Sequence, residues 1–385
     1  MIRRVESMTM TSGQVADDGS EERATVVISS PEELIASIPA MLGFPPGPGS
    51  VVVMCGQTAD GGQGPVVRMD VDGLLNDVRT FADTFPGPEA ASDNDVDPDD
   101  EYADELTLGA IDPGPAQGLA RFCAREGVTE VHLVVVHEEC AQGYGAGLRA
   151  EDAAEAFEYW LGSVGTTVSA AYGVGEFAEG SPWVDLFGMV RGVQQDPDTT
   201  QIAAVHAYGG RVRAGARDEI DRLYLARDVD AVDAVDVDPR GRERSTGYGA
   251  GEVLCVVEGM DDVARRLEVG EEVDDDELAV VGRDLLDIAV RDEVYRRLAV
   301  RGLGERDGRR LLWWAVARRR PARERSVALL LLGAAAYFEG RGVHAWSALS
   351  AAIDADGQNS LARLLIHGLH HGLAPDRLRR VAAAV

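Results

Sequence analysis

Ser29-Ser30-Pro31-Glu32-Glu33-Leu34-Ile35-Ala36-Ser37-Ile38-Pro39-Ala40-Met41-Leu42-Gly43-Phe44, running into Ser50-Val51-Val52-Val53-Met54, reads as a helix with both ends marked and then a strand. Ser30 is a favourable N-cap, and Pro31 sits at the first helical position, where its missing N–H costs nothing. Glu33 completes a Ser-x-x-Glu capping box. Leu34, Ile35, Ile38, Met41 and Leu42 recur at helical spacing and make one apolar stripe, as in an amphipathic helix docked on a sheet. Gly43 closes the helix, and Phe44-Pro45-Pro46 prevents its continuation. Pro39 lies inside and frees the carbonyl of Ile35, which predicts a kink.

Working outward, Val51–Cys55 and Val66–Val71 read as two strands of a hairpin turning through Asp60-Gly61-Gly62. Leu74, Leu75, Val78, Phe81, Ala82 and Phe85 mark an amphipathic helix, and the Asp-rich residues 86–105 have little to bury and read as a mobile acidic loop. A helix near 114–126 precedes Val131–Val136, an apolar run typical of a strand covered on both faces. A helix over about 149–162 then leads to a strand at Thr167–Val174, an order that implies a parallel crossover. Trp183–Val190 adds a further strand, with helices at 199–208 and 216–226. Residues 227–251, rich in Asp, Gly and Arg, read as a linker. Beyond them nearly everything is helical, including 275–300, 306–318, 323–339, 342–354, 358–371 and 375–383, with short connections suited to antiparallel neighbours. The fold class expected is an α/β domain with a mixed, partly parallel sheet over 25–226, then an all-α domain over 252–385. Residues 1–24 are read as a flexible leader.

The opening segment resembles the start of the domain of unknown function 4192 family, a group of actinobacterial proteins. The shared wording is a serine-proline start, an apolar helix ending in Leu-Gly-Phe, a proline-containing turn, then serine and a run of valines. Here the turn, Pro46-Gly47-Pro48-Gly49-Ser50, is one residue longer than usual. The similarity resumes in Trp314, Pro321, Arg323, Tyr337, Gly340, Gly342, Ala345-Trp346, Leu361-Ala362, Leu365, Gly372 and Pro375. The resemblance implies a cysteine-rich stretch just after Trp183. This chain instead carries Val184-Asp185-Leu186-Phe187, so a metal or redox role is not carried over. The family has no assigned activity.

Composition narrows the chemistry. The 385 residues include 37 basic and 66 acidic ones, a formal charge of −29, and every basic residue is arginine. An acidic surface repels phosphate backbones and anionic lipid, so neither nucleic acid nor membrane is an expected partner. Without lysine, P-loop nucleotide hydrolysis, protein-kinase chemistry and Schiff-base chemistry have no amine to use. Cys55, Cys123, Cys140 and Cys255 are scattered, as reduced, mostly buried thiols of a cytoplasmic protein would be. No apolar run approaches the roughly 18 residues needed to span a bilayer.

Few constellations remain. Gly143-Tyr144-Gly145-Ala146-Gly147 lies between a strand and a helix like a phosphate cradle. Its third glycine comes one place early, however, and the pentapeptide recurs at Gly247–Gly251. Arg68, Asp70 and Asp72 alternate along one strand, so they share a face that suits a metal-assisted hydrolase or a solvated strand. His367 and His371 are at i, i+4 beside His370, a spacing that presents two imidazoles to one ion, although a helix end favouring positive charge explains them more simply. No metal and no cofactor is expected from these residues. Leu332-Gly333, Ala345, Leu349 and Ala352 fall at the spacing of a tetratricopeptide-like helical hairpin.

The absence of a convergent catalytic set points first to a non-catalytic interaction or regulatory module, its helical half binding a protein partner near Tyr337 and Trp346. The competing reading is a small-ligand or nucleotide-binding enzyme or sensor in the α/β half. It would use Arg68, Asp70, Gly143 and Gly145, in one form as a carboxylate-metal hydrolase.

Overall fold

The computed structural model describes residues 8–15, 21–56, 58, 64–71, 114–142, 148–227, 248–303 and 307–383. The expected turn at 60–62, the helix over 74–85, the acidic loop 86–105, Gly143–Gly147 and most of the 227–251 linker lie outside these residues. Strands β1 (Met8–Val15) and β2 (Glu21–Ile28) form a two-stranded sheet, where a leader without structure was expected. The local reason lies in a β-branched run, Thr25-Val26-Val27-Ile28, that closes β2. Val26 and Ile28 are buried and Val27 is exposed, the alternation of a strand.

Helix α1 (Pro31–Leu42) starts and stops where its residues dictate. The Ser30 hydroxyl accepts from the Glu33 N–H at 3.2 Å, and the Ser30 carbonyl accepts from the Leu34 N–H at 3.0 Å. Gly43, with φ +84°, ends the helix in the left-handed region that glycine alone enters without strain. One expectation needs correcting. Residues from Leu34 to Pro39 are all buried, so the middle of α1 is enclosed on every side and has no polar face.

The Pro46–Ser50 turn is tied down by the Gly49 N–H donating to the Val136 carbonyl and by the Val71 N–H donating to that of Gly49. It leads into β3 (Ser50–Cys55), which pairs antiparallel with β4 (Val66–Asp70), confirming the hairpin partners. The six-stranded sheet has the order β4-β3-β5-β6-β7-β8, with β5 (Glu130–Val136), β6 (Thr167–Val174), β7 (Pro182–Asp185) and β8 (Arg191–Val193). Only β5 and β6 run parallel, through the connection that carries α3 (Leu148–Gly162). Together with α2 (Gly114–Glu126), α3 covers one sheet face. Leu119, Cys123, Ala153, Phe157 and Leu161 pack there against Val51, Val53, Leu133 and Val135. The alternate residues Val52, Met54 and Val134 are equally buried, so the apolar valine runs reflect a sheet covered on both sides.

The rest is helical: α4 (Gln201–Tyr208), α5 (Arg217–Leu225), α6 (Ala250–Glu268), α7 (Asp275–Asp284), α8 (Ile288–Arg301), α9 (Gly308–Arg319), α10 (Ala322–Phe338), α11 (Gly342–Ala355), α12 (Ser360–His370) and α13 (Pro375–Ala383). The single helix expected over 275–300 is two. Asp287 divides it by accepting from the N–H groups of Ala289 and Val290 as the N-cap of α8. Helix α10 is buried along nearly its whole length from Glu324 onward. Its close partner is α11, and Gly333 permits the approach: a Cβ there would sit 2.8 Å from Leu349 Cγ. The small residues read from the sequence therefore make a tight helical hairpin.

The chain divides into two compact units, one built mainly of Val27–Pro39 and Pro46–Thr200, the other mainly of Ala40–Pro45 and Gln201–Val385. The division falls inside α1, after Pro39. Helices α4 and α5 belong to the second unit.

Candidate functional site

Within the second unit, the end of α1 is gripped by residues far along the chain. The Ala40 carbonyl lies 3.0 Å from His206 Nδ1 on α4, and the Gly43 carbonyl accepts from the Ala214 N–H at 2.8 Å. A Cβ at Gly43 would lie 3.6 Å from Nε2 of His344, in the first turn of α11. The Leu42-Gly43-Phe44 segment thus abuts a buried imidazole.

The surroundings of His344 define the site. Its Nε2 is 3.1 Å from the Arg341 guanidinium, which can only donate, so Nε2 accepts and the ring proton resides on Nδ1. That nitrogen is 3.1 Å from the Tyr224 hydroxyl on α5. Tyr224 in turn stacks on Trp314, with centroids 5.0 Å apart, and its carbonyl accepts from Arg325 at 2.8 Å. Buried Arg310 donates to Glu339 and, at 3.1 Å, to the Leu303 carbonyl, and Glu339 also faces Arg341 at 3.5 Å. On the next turn of α11, the Ser347 hydroxyl meets Asp221, which lies 3.8 Å from Arg217.

Electrostatics follow from this arrangement. Burial, then the guanidiniums of Arg341, Arg310, Arg211 and Arg217, push the His344 imidazole down to about 3. Burial and Arg211 hold His206 down at about 4, against the bond from the Ala40 carbonyl. Two neutral histidines therefore sit in a field made by four guanidiniums, of which Arg211, Arg217 and Arg341 are only half-buried. His344 has both ring nitrogens engaged in hydrogen bonds, to Tyr224 and Arg341. The arrangement suits recognition of an oxyanion, for which guanidinium groups offer paired donors.

A family model described as Domain of unknown function (DUF4192) matches residues 31–376. The chain belongs to this family. No curated protein and no solved structure matches it. In this DUF4192 chain some of the residues that carried the resemblance lie around the site: Gly43 abuts His344, Trp314 stacks on Tyr224, and Gly340 and Gly342 flank Arg341 in sequence.

The residues singled out from the sequence fare differently. Arg68 and Asp70 lie on the edge strand β4 and pair with each other, while Asp72 lies outside the described residues. Gly143 and Gly145 also lie outside them. Tyr337 is corrected: it is 2% exposed and its hydroxyl donates to the Leu373 carbonyl at 2.9 Å, so it serves the helical core. Trp346 is 38% exposed and faces the His370 ring. Among the described residues, no group of three or more His, Cys, Asp or Glu side chains is placed to hold a metal, and no helix is long and apolar enough to cross a membrane. Sequence reasoning missed His344 and its arginines because they come from several separate elements. The one local signal was Arg341-x-x-His344 directly after Gly340.

Proposed function

We propose that this DUF4192 chain is a non-catalytic regulatory module that holds a small oxyanion, a phosphate or carboxylate group, among Arg211, Arg217, Arg310 and Arg341. This reading rests on Arg341, 3.1 Å from the neutral His344, and on the field of Arg310, Arg211 and Arg217 that also acts on that imidazole, in a chain whose overall charge is −29. A local positive field in an acidic molecule concentrates anions at one place and repels them elsewhere. Engagement of both imidazole nitrogens supports binding rather than catalysis.

Thermal unfolding with inorganic phosphate, and separately with citrate, tests it against sodium chloride of equal ionic strength. Binding worth about 1 kcal/mol raises the melting temperature by about 2 °C in a chain of this size. Arg341→Gln should lose that increment whatever its own melting temperature. No increment with either anion, or an equal one in Arg341→Gln, overturns the proposal.

A second reading, recruitment of a protein partner by the helical half, is favoured by the exposed indole of Trp346 on α11. Aromatic side chains of this kind anchor interfaces. A partner captured by the full chain should be lost by Trp346→Ala. Equal capture by both removes this reading.

A further inference from the structure

We propose that Cys55 and Cys123 are a modification site, a dithiol that a hydroperoxide converts to a disulfide linking β3 to α2 in the folded chain. Backbone bonds bring the two residues to one corner of the α/β unit. Cys55, the last residue of β3, lies opposite Val131 on β5, and the Gly56 N–H that follows it donates to the Glu130 carbonyl at 2.8 Å. Cys123 stands near the end of α2, and its carbonyl accepts from the Val128 N–H at 2.9 Å. Only Thr129 and Glu130 separate Val128 from Val131. Both cysteine side chains are fully buried in the core between α2 and the sheet, and their thiols hydrogen-bond each other. The sulfurs are thus in contact before any reaction, and a bond between them asks for little backbone movement.

The remaining contacts assign the roles. The bond that the Cys55 thiol gives to Cys123, and then burial, push Cys55 up. The same bond holds Cys123 below the ordinary thiol range against its own burial, with help from the Thr166 hydroxyl. Thr166 is itself fixed by donating to the Val128 carbonyl at 2.7 Å. Cys123 is therefore the attacking sulfur and Cys55 the resolving one. With hydrogen peroxide, the Cys123 sulfur attacks one oxygen and the O–O bond breaks. The other oxygen leaves as water with the thiol proton, and Cys123 becomes a sulfenic acid. The Cys55 sulfur then attacks the Cys123 sulfur, the S–S bond forms, and the S–O bond breaks, releasing hydroxide that leaves as water with the Cys55 proton. Two thiols lose two electrons, and one peroxide becomes two waters. The pair lies just beneath the surface. Gly64 closes over Cys55, where an added Cβ would come 2.5 Å from Cys55 Cβ, and Pro65 beside it is exposed. Cys140 is out of reach, because its Sγ faces Gly173, which pairs with Val135, four residues or about 13 Å along β5 from Val131.

Hydrogen peroxide treatment of the folded full chain, followed by catalase, unfolding and alkylation of the remaining thiols, tests the site. Cys255→Ser removes the exposed thiol on α6 and leaves Cys55, Cys123 and Cys140 in an unaltered core. Mass spectrometry should find two of these three thiols lost, a peptide pair joined through Cys55 and Cys123, and full recovery of the thiols with dithiothreitol. In Cys55→Ala, whose folding circular dichroism checks, the sulfenic acid on Cys123 has no resolving partner and should be trapped by dimedone. Retention of all three thiols at a peroxide level that oxidises Cys255 in the unaltered chain overturns the proposal, as does a link through Cys140. Dimedone on any other cysteine of Cys55→Ala overturns the order of attack.

Discussion

At the residue scale, His344 shows how a side chain acquires its properties from distant neighbours. As a free imidazole it would protonate near pH 6.5; in the fold, burial and four guanidiniums hold it neutral down to about 3. His206 behaves alike, down to about 4. Once unfolded, both take up protons near pH 6.5 that the folded chain refuses, so acid favours the unfolded state. Their contribution to stability is complete above about pH 6.5 and is lost progressively as the pH falls, toward about 4 for His206 and about 3 for His344. The melting temperature should therefore fall between pH 7 and pH 5, and His344→Gln should flatten that slope. An unchanged slope in the variant would count against burial of a neutral imidazole. None of this was legible in the sequence, where His344 is one histidine of seven. Its neighbours Arg211, Tyr224, Arg310 and Gly43 are separated from it by tens to hundreds of positions.

At the scale of elements, legibility depended on whether the cause was local. The ends of α1 were readable because Ser30, Glu33 and Gly43 act within a few residues of themselves. The parallel pairing of β5 and β6 followed from two apolar runs separated by one helix. The break between α7 and α8 was not read, because Asp287 interrupts an apolar periodicity that continues on both sides of it. Glycines make the contrast measurable. Gly333→Val should destabilise the chain by about 2 kcal/mol in chemical denaturation despite glycine's poor helix propensity, because the side chain collides with Leu349. Gly259→Ala, on the exposed side of α6 with nothing within 4 Å of the new methyl group, should stabilise by about 0.5–1 kcal/mol. Equal effects at the two positions would mean that α10 and α11 are not in close contact.

At the scale of the whole molecule, charge dominates. A formal charge of −29 means that the folded chain repels itself, and screening relieves that repulsion. Raising sodium chloride from about 10 to 300 mM should therefore increase the melting temperature, as the Debye length falls from about 30 to under 8 Å. A decrease would mean that surface ion pairs such as Arg222–Asp218 and Arg266–Glu277 outweigh the net repulsion. By itself the sequence determined the class of fold, the ends of α1, the hairpin of β3 and β4, the parallel crossover of β5 and β6, and the absence of any lysine amine. These depend on composition and on interactions between near neighbours. Only the tertiary structure decided that the middle of α1 is enclosed, that Tyr337 is core, and that His344, beside Gly43, lies against Arg341 in a field made by arginines of several elements. Burial and electrostatic fields arise from what the folded chain brings together, and no spacing along the chain encodes them.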